Sequence, residues 1–198
     1  ALTPRLVDEV AFPYLLLLVS GGHCQTLLVK DVGDYQRIGT TIDDAIGEAF
    51  DKTAKMMGLE MPGGPAIERL AVKGDSKAVR LPVPFKGRPG TDFSFSGLKT
   101  AVRRAVESDE DHRAEDIAAS FQRVAFVSLI DRTRQAAQSV DVPMSALVVA
   151  GGVAANKALS AQLQALGEEL GLRVVVPPMA LCTDNGAMIA WAGAERMA

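Results

Sequence analysis

Tyr14-Leu15-Leu16-Leu17-Leu18-Val19 forms an unbroken apolar run, stopped by Ser20-Gly21-Gly22. A run that is short, wholly apolar and ended by glycine predicts a buried strand over 14–19. Paired glycines reach the positive φ of a tight turn, so 20–23 reads as a turn and 25–29 as the returning strand. Gly33-Asp34 marks another turn, and 35–42 reads as a third strand with rough alternation. The period then changes. Ile46, Phe50, Thr53 and Met57 share one face of a helix predicted over 44–57, with Thr41 or Asp43 as its cap and Gly58 at its C-terminal stop. Pro62-Gly63-Gly64-Pro65 reads as a rigid turn before a short helix at 66–72. Residues 74–96 carry little periodicity and much Pro, Gly and Ser. Ser96 is predicted to cap a helix over 97–107. Ile117, Phe121, Val124, Val127 or Ser128, and Ile130 mark a long helix over 113–139. The last third alternates: strand 146–150, helix 154–170 ended by Gly171, strand 172–176 stopped by Pro177-Pro178, and helix 183–196. A three-strand meander extended by two parallel strands through helical crossovers is the ribonuclease-H-like α/β plan.

Composition narrows the function classes. The 198 residues are 48% hydrophobic and 23% charged, an ordinary globular balance. A net charge of -3 provides no global positive field, so any nucleic-acid contact must use a local patch. The apolar run at 14–19 is too short to cross a bilayer, so no membrane association is expected. Two cysteines, Cys24 and Cys182, are too few for a disulfide framework, fit a reducing cytosol, and read as small buried hydrophobes. A start at Ala1 without Met, basic region or signal pattern is read as a fragment or a processed chain.

Each glycine turn ends a predicted strand, where α/β sheets bind ligands. At Val19-Ser20-Gly21-Gly22 the bare backbone could approach a phosphate with its N–H groups, although a plain hairpin explains the same residues. Gly151-Gly152-Val153-Ala154-Ala155-Asn156 leads a strand into a helix, whose first N–H groups favour an anion. Asn156, one turn inside that predicted helix, is either a ligand contact or a solvated helix residue. Asp44, Glu48 and Asp51, spaced i, i+4, i+7, put three carboxylates on one face. They suit a cation or a ribose diol, or form a solvated acidic face near a helix start. Thr183 is a natural N-cap and Asp184 a favourable first-turn acid or a metal ligand. His23 and His112 are the only histidines and lack helical-pair spacing, so a complete metal site within this chain is not expected. Ser20 has no evident base, and the nucleophile elbow and the phosphate-binding Gly-Lys-[Ser/Thr] loop are absent. The cations Arg80, Lys86, Arg88, Lys99, Arg103 and Arg104 are candidates for an RNA backbone contact, while Phe93 and Phe95 among them read as buried.

Six segments run in family order over nearly the whole chain: 18–23 (Leu-Val-Ser-Gly-Gly-His), 43–52 (Asp-Asp-Ala-Ile-Gly-Glu-Ala-Phe-Asp-Lys), 62–65, 93–99 (Phe-Ser-Phe-Ser-Gly-Leu-Lys), 151–156 and 182–190. Together they resemble the tRNA N6-adenosine threonylcarbamoyltransferases of the bacterial TsaD type, once described as O-sialoglycoprotein endopeptidases. The resemblance implies the two-lobed actin/Hsp70/sugar-kinase fold, with a ribonuclease-H-like unit in each lobe. The chain would be the second lobe over 14–198, with 1–13 leading in and 62–112 as a largely irregular and helical insertion; the first lobe would be missing. The implied reaction moves threonylcarbamoyl from threonylcarbamoyl-AMP to N6 of adenosine 37 in tRNAs reading codons that begin with A. By the same resemblance, Leu18, Val19, Ser20, Gly21 and Gly22 would line the adenylate, Asp51 and Gly64 would hold its ribose side, and Asn156 would sit by the adenosine. Asp184 would bind one iron(II) or zinc ion, whose histidine ligands are expected before Ala1; the chain alone is expected to be inactive. Implied partners are tRNA, a degenerate paralogue of the TsaB type and a small ATPase of the TsaE type, in the cytoplasm. A nucleotide-binding kinase or ATPase of the same superfold shares the glycine turns. A non-catalytic scaffold is the third reading, against which the presence of Asp51, Gly64, Asn156 and Asp184 speaks. A protease has no support, since neither a triad nor His-Glu-x-x-His occurs.

Overall fold

The computed structural model describes residues 1–108, 112–182 and 185–197. Three strands open the sheet: β1 (Tyr14–Val19), β2 (Cys24–Asp31) and β3 (Asp34–Thr40). β1 and β2 pair antiparallel from Tyr14 opposite Val29 to Val19 opposite Cys24. β4 (Ala146–Ala150) lies parallel to β1, with Leu15 opposite Leu147, and β5 (Arg173–Val175) lies parallel to β4. The spatial order β3-β2-β1-β4-β5 is the predicted ribonuclease-H-like topology.

The period-two rule divides β1 between two cores. Leu15, Leu17 and Val19 face the main core, shared with Leu147 and Val149. The helices α2 (Ile46–Met56), α3 (Gly63–Ala71), α4 (Ser96–Val106), α5 (Ala114–Gln138) and α6 (Lys157–Leu170) supply most of the rest of that core. Tyr14 and Leu16 face the other way, against Val10, Phe12, Val148 and Val175. The leading segment carries a short helix, α1 (Thr3–Val7), and the last helix is α7 (Gly186–Met197). Ile67, Phe93, Phe95 and Leu98 are buried in the same core as β1, so the stretch over 62–102 is packed into the lobe.

Helix stops follow the sequence more closely than helix starts. Gly58 adopts φ 68°, Leu59 N–H donates to Ala54 O (2.9 Å) and Gly58 N–H to Lys55 O (3.2 Å), which closes α2 in a Schellman motif. Its start is two residues later than predicted, at Ile46 with Ala45 as N-cap, and neither Thr41 nor Asp43 caps it. Asp43 instead reaches the first turn of α4. It accepts from Phe95 N–H (2.8 Å), Ser96 N–H (3.3 Å) and the Ser96 hydroxyl (2.7 Å), and from Ser94. Ser96 is therefore the first helical residue and a donor, not the cap predicted for it. Pro62-Gly63-Gly64-Pro65 is not a free turn: Gly63 begins α3, and Pro65 sits in its first turn, where a missing N–H costs nothing. Along α5 Ser128 rather than Val127 takes the buried position. Just before α7 the Asn185 side-chain oxygen accepts from Met188 N–H at 2.9 Å, while Thr183 and Asp184 lie outside the described residues.

Two further anchors hold the irregular 81–95 stretch. Arg132 on α5 is only 1% exposed, and its guanidinium donates to Phe85 O (3.2 Å), Arg88 O (2.9 Å) and Gly90 O (2.9 Å). Residues 91–93 run beside β3, with Phe93 N–H donating to Thr40 O (3.0 Å), Ile42 N–H to Phe93 O (3.0 Å) and Thr40 N–H to the Asp92 carboxylate (2.9 Å).

Burial raises the pKa of Asp43, but its donors from Ser94, Phe95 and Ser96 outweigh burial and leave it below the ordinary carboxylate value. A depressed folded-state pKa stabilises above the unfolded-state value, and that contribution is lost as pH falls through the folded one. Asp43→Ala is expected to cost about 1–2 kcal/mol at pH 7, the range of a lost helix cap. Denaturant titrations at pH 7 and pH 3 check this. The gap between wild type and variant should narrow in acid, and a constant gap would show that the charge contributes nothing.

Candidate functional site

β1 and β4 are parallel neighbours, so both deliver their glycine turns to one edge of the sheet. The two turns are brought close by glycines rather than by side chains. Gly151 adopts φ 100°, and a Cβ there would collide with the carbonyl of Val19. Gly47, in the first turn of α2, donates its N–H to Ser20 O at 3.2 Å. A Cβ at Gly47 would stand 2.6 Å from that oxygen and 2.8 Å from Gly21 N. The start of α2 is thereby seated directly on the turn after β1.

Asp51, one turn further along α2, accepts Gly63 N–H at 2.8 Å and so pins the start of α3 beside α2. A Cβ at Gly63 would lie 2.7 Å from Asp51 Cα, so this approach also requires glycine. Gly64 follows in the first turn of α3, where backbone N–H groups have no intrahelical acceptor. On the opposite wall Gly152–Ala155 forms a 3-10 turn, after which Asn156 caps α6. The Asn156 side chain accepts Leu159 N–H at 3.1 Å and donates to Gln122 Oε1 at 2.9 Å. Asn156 is thus a buried cap, not the residue one turn inside a helix that the pattern predicts. Glu68 on α3 accepts Lys157 N–H at 2.8 Å and ties the two walls together.

These elements enclose a cavity of about 360 Å³, lined by Gly21, Gly47, Phe50, Asp51, Pro62, Gly64, Pro65, Glu68, Gly152, Val153, Ala155 and Asn156. Gly21, Asp51, Gly64 and Asn156, proposed from sequence, therefore meet in one place. Leu18, Val19, Ser20 and Gly22 are not among its lining residues. Val19 is fully buried in β1, and Gly22 is exposed on the outside of the turn. Ser20 works within the turn: its N–H donates to His23 O (2.8 Å) and its hydroxyl accepts His23 N–H (3.0 Å) and Gly22 N–H (3.3 Å).

The predicted three-carboxylate face is divided. Asp44 precedes the helix, and Lys52 Nζ bridges Asp44 (2.8 Å) and Glu48 (2.7 Å), with Lys99 Nζ 3.3 Å from Asp44. Only Asp51 of the three reaches the cavity. Phe93 and Phe95 are fully buried, as expected, and so is Cys24, whereas Cys182 is half-buried and its thiol donates to Pro177 O at 3.3 Å. Sequence reasoning missed Gly47 and Glu68. A lone glycine inside a helical pattern is a signal of close packing and could have found Gly47. Glu68 has no comparable signal, since its acceptor role is set by a backbone N–H 89 residues away.

The metal implied by the resemblance needs several ligands at one point. Among the described residues no three His, Cys, Asp or Glu side chains are grouped to hold one, and Asp184 lies outside them. The described residues therefore do not fit the ion on their own.

The family described as TsaD: tRNA N6-adenosine threonylcarbamoyltransferase matches residues 1–191. A protein of that description from Sinorhizobium medicae is 60% identical over 206 residues, covering 100% of this chain and 57% of its own length. Those of Novosphingobium aromaticivorans and Erythrobacter litoralis are each 59% identical, again over 100% of this chain and 57% of theirs. The chain thus spans 57% of the length of these curated relatives. Among solved structures, the crystal structure of T.kodakarensis HypF superposes with a TM-score of 0.51 at 19% identity, over 73% of this chain and 18% of that one, a likeness of fold.

Proposed function

The chain belongs to the tRNA N6-adenosine threonylcarbamoyltransferase family, and from that premise we propose that it is the second lobe of an enzyme forming threonylcarbamoyladenosine in tRNA. The donor is threonylcarbamoyl-AMP and the acceptor is N6 of adenosine 37 in tRNAs reading codons that begin with A. A bond forms between N6 and the carbamoyl carbon, the bond from that carbon to the phosphate oxygen breaks, AMP leaves, and N6 gives up one proton. The observation that carries this reading is the single cavity joining Gly21, Asp51, Gly64 and Asn156 at the ends of two parallel strands.

Each wall has a task suited to an adenylate. One Asp51 oxygen is held by Gly63 N–H, which orients the carboxylate as an acceptor for a ribose hydroxyl. The first-turn N–H of Gly64, which has no intrahelical acceptor, favours an anionic or hydroxyl oxygen nearby. Gly21 and Gly152 let a flat group lie against backbone, since a Cβ at either would meet nothing within 4 Å. Asn156 shapes the floor by fixing the start of α6 rather than by offering a free amide. An iron or zinc ion held by Asp184 and by ligands from a first lobe would supply Lewis-acid polarisation of the carbamoyl group. A first lobe, a TsaB-type paralogue, a TsaE-type ATPase and a cytoplasmic setting belong to the same proposal. One observation supports a missing lobe: none of the residues of α7 whose burial is described is buried, with Ile189 69% exposed. Among the described residues no helix is long and apolar enough to cross a membrane.

The test is formation of the modified nucleoside, read by mass spectrometry, from purified full-length protein with threonylcarbamoyl-AMP, tRNA and partner subunits. The 198-residue chain alone is expected to give no product. Asp51→Ala in the full-length protein is expected to raise KM for the adenylate by about tenfold or more, the loss of one hydrogen bond to a charged group. An unchanged KM would remove Asp51 from the site.

A further inference from the structure

The strongest feature outside the cavity is the loop over 82–90, Pro-Val-Pro-Phe-Lys-Gly-Arg-Pro-Gly. Its backbone is held from below at four carbonyls. Arg132 binds those of Phe85, Arg88 and Gly90, and the Ser128 hydroxyl donates to Pro84 O at 3.1 Å. Phe85 is held at φ 56°, a left-handed conformation that bulky residues seldom adopt, with Gly87 at 71° and Gly90 at 108° on either side of Arg88. Strain of this kind persists only where surrounding contacts enforce it, and it concentrates at functional loops.

What this frame presents is positive charge. Lys86 and Arg88 are exposed, and among the described residues neither has an ion-pair partner. The Arg88 guanidinium lies 6.0 Å from the Phe85 ring centroid, at the outer limit of a cation–π contact. The nearby acids are already engaged: Asp131 with Arg132 (2.5 Å), and Asp43 with the start of α4. Loop and helix enclose a cavity of about 360 Å³ between Lys86, Arg88, Ser94 and Gly97. Asp43 joins that helix start to the segment leading into α2, and α2 carries Gly47 and Asp51 of the functional site.

We propose that Lys86 and Arg88 bind the phosphate backbone of the tRNA, at nucleotides other than the reacting adenosine, with Arg132 and Phe85 as positioning residues. The inference rests on the tRNA reading above. A pair of exposed cations on an anchored backbone, with no ion-pair partner among the described residues, suits phosphates, which fix register without reading sequence. It gives the chain a local positive site despite its net charge of -3.

The experiment uses full-length protein with its partner subunits, and measures affinity for unmodified tRNA across a salt series. For the doubly substituted Lys86→Ala, Arg88→Ala protein, the slope of log affinity against log salt should become shallower by about 1.4 to 1.8, two phosphate contacts' worth. KM for threonylcarbamoyl-AMP should be unchanged. An unaltered slope, in a preparation whose wild type modifies tRNA, overturns this proposal alone. An equal loss from Arg103→Ala, Arg104→Ala on α4 also overturns it, because a diffuse field would then explain binding. A wild type that neither binds nor modifies tRNA would sink the parent reading instead.

Discussion

Gly151→Ala is expected to lower stability by about 2–5 kcal/mol and to abolish ligand binding with it. Two costs add. An L-residue at φ 100° pays roughly 1–2 kcal/mol for its left-handed conformation. Its Cβ would also overlap the Val19 carbonyl, and forcing an extra carbon into packed structure costs about 1–3 kcal/mol. The backbone cannot retreat cheaply, because Val19 ends β1 and Gly151 follows β4, and these strands are paired in the centre of the sheet. Gly152→Ala is the matched control. A Cβ there meets nothing within 4 Å, and Gly152 has no left-handed φ. It is expected to stay within about 1 kcal/mol of wild type while weakening binding, because Gly152 lines the cavity. Urea titrations of both variants decide the matter, and equal midpoints would refute the collision.

Arg132→Met is expected to cost about 2–4 kcal/mol. Three loop carbonyls lose their donor, and each buried acceptor left without one costs on the order of 1–3 kcal/mol. The sum is reduced because the loop can open to water, and because Asp131, 38% exposed at its side chain, is not stranded in an apolar interior. For a domain of this size the midpoint should fall by roughly 10 °C. Limited proteolysis should cut first within 82–90, while the strand core stays protected. A midpoint within 2 °C of wild type, on a scale of about 2–4 °C per kcal/mol, would show that the loop holds itself. Lysine is a poor substitute, since a single ammonium cannot reproduce the planar fork that serves several carbonyls at once.

Local pattern carried the topology. The apolar runs at 14–19 and 146–150 became the central parallel pair, and Gly58 and Gly171 ended α2 and α6 in left-handed conformations. These features depend on neighbours a few residues away, so period and turn chemistry suffice to read them. The misread features depend on distant partners. Asp43 looks like a cap for the helix that follows it, yet its acceptor role is spent 52 residues away on α4. By spacing alone Asp51 is one of three similar acids; the family resemblance singles it out, and in the structure its bond to Gly63 does so as well. Arg132 carries no signal in the sequence pattern; its burial follows from carbonyls more than 40 residues away. In the candidate site Gly63 and Gly151 were legible as turn glycines, whereas Gly47, which seats α2 on the first turn, and Glu68, which fastens one wall to the other, were not.

The segment over 91–93 has a meaning for how copies of this molecule coexist at high concentration. An outermost strand normally displays a row of open N–H and C=O groups, a template on which a second sheet can grow. Here Phe93 and Asp92 occupy the outer side of β3 at Thr40, and Thr91 donates to Ile38 O at 2.5 Å. The remainder of that strand, from Asp34 to Arg37, is exposed and polar or charged, apart from the amphipathic Tyr35. The sheet thus carries its own cover along the Ile38–Ile42 part of this border, which shortens the edge open to a second sheet, and the peptide that supplies it leads into the helix beside the proposed tRNA contact.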